Sequence, residues 1–138
     1  MSFPRKPRLA DGFEVDDELK VVSNYIPVLT PASGGWATVS DLLTFAASVG
    51  RFESPMIDPR PIDALVSNGS PDGLPARALG WALTTIGDDV VISHAGGWPG
   101  YSGSVAICPA RDTAVAVMIN MSAEARSDLG HRVIASLR

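Results

Sequence analysis

One cysteine and two lysines are all that this chain of 138 residues contains of either type, and both shortages exclude chemistry. Cys108 alone cannot close an internal disulfide. Together with only two histidines, His94 and His131, it offers no clustered ligand spacing for zinc, so no metal and no cofactor is expected. Lys6 and Lys20 have Phe3 and Asp17 three positions upstream. The chain therefore lacks any Ser-x-x-Lys, the spacing that sets a lysine beside a nucleophilic serine. Asn24, Asn68 and Asn120 follow Val22, Val66 and Met118 by two positions, which excludes Ser-x-Asn and Tyr-x-Asn as well. Basic charge is scarce: 11 Lys and Arg face 15 Asp and Glu, and the net charge is -4. Beyond Arg5-Lys6-Pro7-Arg8 there is no basic block, so nucleic acid is not an expected partner. No apolar run approaches the ~18 residues of a membrane span. The first 16 residues hold prolines and charges but no signal-peptide core, so the chain as written is expected to stay in the cytoplasm, although an exported parent protein could have lost its signal.

What is present is apolar. With 46% hydrophobic and 19% charged residues, the composition is that of one globular domain with a single core. Residues 1–29 read as an extended, proline-containing lead-in, within which Lys20 to Leu29 is a candidate strand. Thr38 is placed to cap a helix with Asp41 three residues on, and Leu42, Phe45, Ala46 and Val49 then recur at helical spacing until Gly50. This predicts a helix over 39–49. A second, shorter helix is expected within 56–66, followed by a loop over 67–75. From Ala78 onward the pattern turns to strands: Ala78 to Ile86 and Val90 to His94 around Gly87-Asp88-Asp89, then Tyr101 to Cys108 and Thr113 to Met121 around Pro109–Asp112. Residues 114–119, Ala-Val-Ala-Val-Met-Ile, are apolar on both faces, so helices are expected on both sides of the sheet. Ser122 is a candidate cap for a last helix whose stripe is Leu129, Val133, Ile134 and Leu137. The predicted fold class is α+β, an antiparallel sheet flanked by helices.

His94-Ala95-Gly96-Gly97, with Trp98-Pro99-Gly100-Tyr101 after it, carries the strongest functional signal. Pro31-Ala32-Ser33-Gly34-Gly35-Trp36-Ala37-Thr38 leads into Asp41-Leu42-Leu43, Gly80-Trp81 lies on the strand before His94, and a strand pair closes the pattern from Tyr101 to Asn120. In this order, residues from about 30 to 138 resemble the C-terminal part of the serine β-lactamase and penicillin-binding protein family, which includes class C-like β-lactamases, D-alanyl-D-alanine carboxypeptidases and esterases. Three motifs build the active site of that family, and the third, Lys-Thr-Gly or His-x-Gly, is matched here at His94 to Gly96.

The resemblance implies an acyl-transfer site acting on a β-lactam, a D-amino-acid peptide or an ester. It assigns His94 a polar, charge-variable role beside the substrate's carboxylate or leaving group. Gly97 would supply through its backbone N–H one of two oxyanion donors. Ala95, Gly96, Trp98 and Tyr101 would bind substrate, Gly96 by offering no side chain. The nucleophile and the second donor belong to the missing first motif, so the implied activity is absent from this chain alone. The other reading is a noncatalytic interaction module, or half of a split protein. In the resembled fold, strands from the missing segment lie beside the last strand, leaving Thr113 to Met121 with an open apolar edge; self-association, a partner strand or Lys20 to Leu29 would cover it.

Residue by residue, plainer roles compete with these. A histidine before Ala-Gly-Gly can be a simple strand end, and Gly96, Gly97 and Gly100 can simply make a turn. Trp36 and Trp81 are expected to fill the core or its rim, and His131 to lie on the polar side of the last helix. Gly100-Tyr101-Ser102-Gly103-Ser104 nearly matches the nucleophile elbow, with Asp112 or Asp128 and then His131 following in hydrolase order. That motif needs a helix after the serine, and here a strand is expected.

Overall fold

A computed structural model describes residues 10–15, 18–22, 35–51, 76–78, 80–122 and 126–137. The expected helix within 56–66 and loop over 67–75 lie outside them, as does Pro31 to Gly34. Five antiparallel strands form the main sheet in sequence order: β3 (Ala76–Ala78), β4 (Trp81–Ile86), β5 (Asp89–Trp98), β6 (Tyr101–Cys108) and β7 (Thr113–Ile119). Helix α1 (Val39–Arg51) packs on β6 and β7 from one side, and α2 (Arg126–Ser136) packs on the same two strands from the other. The α+β class is thus as expected.

The period-2 alternation of the strands divides the core into two layers. Ile92 of β5 and Val105 and Ile107 of β6 face α1, where they bury Ala46 and Val49. Their neighbours Val91, Ala106 and Cys108 face α2 and enclose Ile134. Cys108 is a free, buried thiol, the small core residue that a lone cysteine usually is.

Helix α1 opens with a reciprocal cap. The Asp41 carboxylate accepts from the Thr38 backbone N–H at 2.9 Å and from the Thr38 hydroxyl at 2.8 Å, and that hydroxyl accepts from the Asp41 N–H at 3.1 Å. These bonds hold the Asp41 carboxyl below its ordinary pKa of 3.8, the backbone N–H contributing most. The helix runs two residues past its expected end. Gly50 is not a stop; a Cβ there would lie 2.9 Å from the Ile107 side chain, so glycine lets the helix approach the sheet.

Several strand boundaries differ from the pattern in the sequence. Ala78 to Ile86 is two strands, because Gly80 takes φ +87° and turns the chain so that Ala78 pairs with Trp81. Strand β5 continues four residues past His94: Gly96 pairs with Gly103 and Gly97 with Ser102, and the turn is confined to Pro99 and Gly100. Gly100 holds φ +79° and its site would bring a Cβ within 3.0 Å of Gly12, so two steric demands meet at one glycine.

Part of the lead-in is a hairpin. Strand β1 (Gly12–Val15) pairs with β2 (Leu19–Val22) in an antiparallel register. Phe13 then bonds to the end of the main sheet, its N–H donating to the Asn120 carbonyl at 2.9 Å and its carbonyl accepting from Ser122 N–H at 3.0 Å. Leu19 to Val22 therefore pair with β1, not with β7, and residues 23–29 lie outside the description. Ser122 does not cap α2; its hydroxyl accepts from the Gly100 N–H at 2.9 Å. The buried face of α2 also differs, since Val133 and Leu137 are exposed while Ile134 and Gly130 are buried. Gly130 explains the rotation: a Cβ on it would come within 2.9 Å of Ala106, so the helix closes on the sheet along its smallest residue.

Candidate functional site

Two tight turns fix the direction of every amide in β5. In a two-residue hairpin the residues flanking the turn exchange both hydrogen bonds, and bonding then alternates along the ladder. Trp98 and Tyr101 flank the turn to β6. Trp98, Gly96 and His94 therefore bond to β6, while Gly97, Ala95 and Ser93 point their N–H and C=O groups to the opposite edge. The other turn gives the same phase: Ile86 and Asp89 flank Gly87-Asp88, so Asp89, Val91 and Ser93 bond to β4.

Strand β4 runs out before β5 does. Its last described pair with β5 is Ala82 with Ser93. Beyond it, among the described residues, no strand covers the outer edge at Ala95 and Gly97. Their backbone groups are presented laterally, as an extended substrate or a developing oxyanion requires.

Side chains alternate with this edge. His94 and Gly96 share the face of Ile92, towards α1, whereas Ala95 points to the α2 face. An aromatic group assembles at His94: its ring meets Trp81 edge-on at 6.5 Å and 88°, and Trp81 stacks with Phe45 of α1 at 6.2 Å and 16°. A cavity of about 450 Å³ opens here, lined by Leu42, Phe45, Trp81, His94, Gly96 and Val105 among others. A Cβ added to Gly96 would meet nothing within 4 Å, so this glycine leaves the cavity open. Apart from Trp81, the His94 ring has no hydrogen-bond or charged partner among the described residues.

The other expected site residues are distributed unevenly. Trp98 is 44% exposed on the His94 side of the strand. Tyr101 is committed elsewhere, its hydroxyl donating to the Ala10 carbonyl at 2.9 Å and its ring meeting Trp36 edge-on at 5.7 Å. Trp81 was expected only to fill the core or rim, yet it forms a wall of the cavity. Phe45 was read as one of a helical stripe, and at 49% exposure it overhangs the same space. Gly80-Trp81 before the His94 strand was the signal available for the first; the helix stripe gave none for the second.

His131 is the clearest correction. It is half-buried, and its Nε2 lies 3.1 Å from the hydroxyl of Ser93 on the α2 face. Rotation of α2 about Gly130 turns this histidine towards the sheet. Ser93 is 8% exposed and paired on both strand edges, so the bond ties helix to sheet. The hydroxyl of Ser102 donates to the Met121 carbonyl at 2.9 Å from within β6. A strand follows it, as expected, which rules out the elbow. No group of three potential metal ligands occurs among the described residues, and no described helix is long and apolar enough to cross a membrane.

A profile of the β-lactamase family matches residues 2–137. Among solved structures, the chain is similar to an octameric penicillin-binding protein homologue from Pyrococcus abyssi, with a TM-score of 0.80 at 19% sequence identity. The likeness covers 96% of this chain but 31% of that one, so the chain spans less than a third of that protein's length. No match was found among curated proteins. The family match takes in nearly every residue of the sequence, and the chain belongs to the β-lactamase family.

Proposed function

We propose that this chain is the C-terminal portion of a β-lactamase-like serine hydrolase, supplying one wall of an acyl-transfer site and no nucleophile. The observation that carries the reading is the uncovered edge of β5 beside His94. On it, the Gly97 N–H is one oxyanion donor, and Ala95 offers its backbone N–H and C=O to an extended substrate. Gly96 leaves room above the strand, and Trp98, with Tyr101 across the turn from it, borders the site. His94 places a polar ring, charged or neutral according to its surroundings, against the substrate's carboxylate or leaving group. Acyl transfer then needs an activated serine and the second donor from a Ser-x-x-Lys segment that these 138 residues do not contain.

The isolated chain should therefore form no acyl-enzyme with a chromogenic β-lactam or with p-nitrophenyl acetate. Intact-protein mass spectrometry checks this, and an added acyl mass overturns it. Supplied with a segment bearing Ser-x-x-Lys and Tyr-x-Asn, the assembly should hydrolyse such reagents. Gly97→Pro, which removes the edge N–H, should slow that hydrolysis about 10²- to 10³-fold.

A second reading rests on β7. Among the described residues its outer edge pairs with nothing between Thr113 and Ile119, and only the stretch just after it, from Asn120 to Ser122, meets Phe13. Met118 is 45% exposed there. An apolar edge of this kind recruits a strand, either from the missing segment or from a second copy. The Pyrococcus relative is an octamer, which favours self-association. Sedimentation should find oligomers of the isolated chain, and a clean monomer at high concentration counts against this reading.

A further inference from the structure

We infer that the cavity beside His94 is a specificity pocket for an aromatic acyl group, with Phe45 and Trp81 as its selecting residues. This rests on the acyl-transfer reading above and adds to it the chemical class of the acyl donor.

Phe45 forms one side of the cavity. It stands 49% exposed at the edge of the α1 stripe. The surface opposite it is the indole of Trp81, nearly parallel to its own ring. The two rings are stacked, and the faces and edges they leave uncovered make an apolar shelf. His94 stands almost at right angles to the indole, so the cavity has an aromatic wall and, beside it, the polar ring of His94. At about 450 Å³ the space falls within the ~300–1,000 Å³ range of small-molecule sites.

Charge narrows the occupant. Among the described residues that line it, Leu42, Phe45, Trp81 and Val105 are apolar, Gly80, Gly96 and Gly103 contribute only backbone, His94 and Ser104 are polar, and none is a carboxylate, lysine or arginine. A cationic or strongly polar group would lose its hydration there without a partner. A planar hydrocarbon ring gains contact on the shelf by offset stacking or edge contact, the geometries that aromatic pairs prefer. The polar end of the same ligand, a carboxylate or an acyl carbonyl, then falls at His94 and the uncovered edge of β5. The ring lies on the shelf and the acyl carbon at the strand.

Phenylacetate tests this directly, because it carries a ring and a carboxylate but no scissile bond. Titrated into the whole chain, it should shift the NMR signals of the His94 ring and the Trp81 indole saturably, with acetate at the same concentration leaving them unmoved. Cyclohexylacetate should bind at least 5-fold more weakly. Trp81→Ala should weaken phenylacetate at least 10-fold. Trp81 also packs against the core, so Gly96→Val provides the cleaner variant. Its added side chain enters open space, the fold should persist by NMR dispersion, and phenylacetate binding should again fall at least 10-fold. No saturable shift, equal binding of cyclohexylacetate, or undiminished binding to folded Gly96→Val overturns the pocket. The two readings fail separately. Phenylacetate binding without hydrolysis by the completed assembly removes the acyl-transfer reading and leaves a ligand site. Hydrolysis with no preference for aromatic acyl donors removes the pocket alone.

Discussion

The two halves of β5 share one backbone geometry and have opposite surroundings. From Asp89 to Ser93 the strand is paired with β4, at Ile92 and Ser93 with β6 as well, and it is layered between α1 and α2; Val91 and Ile92 are wholly buried. From His94 to Trp98 it keeps β6 and loses β4, and most of its residues are exposed. Rigidity comes from the first half and access from the second. A strand paired with β4 over its first half and with β6 from Ile92 onward carries its orientation past the end of β4, so its outer edge is held by the β6 ladder. Neighbouring side chains mark the boundary. Ser93 holds His131 across the α2 face, and His94, one residue on and on the opposite face, has only an aromatic contact among the described residues.

The largest effect is expected from the anchored half. Ile92→Ala removes a fully buried side chain at the centre of the α1 layer and should cost about 2–5 kcal/mol in urea unfolding. His94→Ala, two residues further in sequence, should cost under about 0.5 kcal/mol, as surface substitutions do. A comparable loss at both positions would mean that the open half also carries the fold.

A smaller effect separates the two histidines. Ser93→Ala leaves the half-buried His131 ring without its hydroxyl partner and should cost about 1 kcal/mol. Its readout is specific: the Nε2 resonance of His131 should move in the variant while that of His94 stays in place. An unchanged His131 signal would show that the 3.1 Å contact does not hold α2 to the sheet.

How far these features were legible depends on what kind of residue carries them. The strand and hairpin order from β4 to β7 follows from runs of apolar residues and strong turn signals, and the α1 cap follows from Thr38 and Asp41. The length of β5 does not, because Gly96 and Gly97 read locally as a turn; what makes them strand is pairing across the hairpin with Gly103 and Ser102, which a tally of single-residue preferences does not weigh. The orientation of α2 was hidden for a related reason. Hydrophobic periodicity weighs side chains, and the helix packs along Gly130, which has none. His131 was misplaced with it. His94 was found by the Gly spacing after it, whereas Phe45 and Trp81 each look like core until the register sets Trp81 beside His94.

The smallest effect concerns the α1 layer, on which the shelf at Phe45 depends. Asp41 has a depressed pKa because the folded chain gives its carboxylate the Thr38 N–H and hydroxyl. A carboxyl whose folded pKa lies below its unfolded one stabilises the fold fully above the ordinary value near 3.8 and loses that contribution as pH falls through the folded pKa. The group is at the surface, so the loss should be slight and confined to the first turn, where salt screens it further. Thr38→Ala removes the cap at neutral pH and should cost about 1 kcal/mol; Asp41→Asn should cost less and abolish the acid dependence. Amide exchange at Leu42, whose N–H bonds to the Thr38 carbonyl at 3.1 Å, reports the first turn directly. Its protection relative to the intrinsic exchange rate should fall as pH drops below 3.8 in the wild-type chain and stay constant in Asp41→Asn. If protection falls equally in both, protonation elsewhere opens the helix, and the cap is not what holds this end of α1.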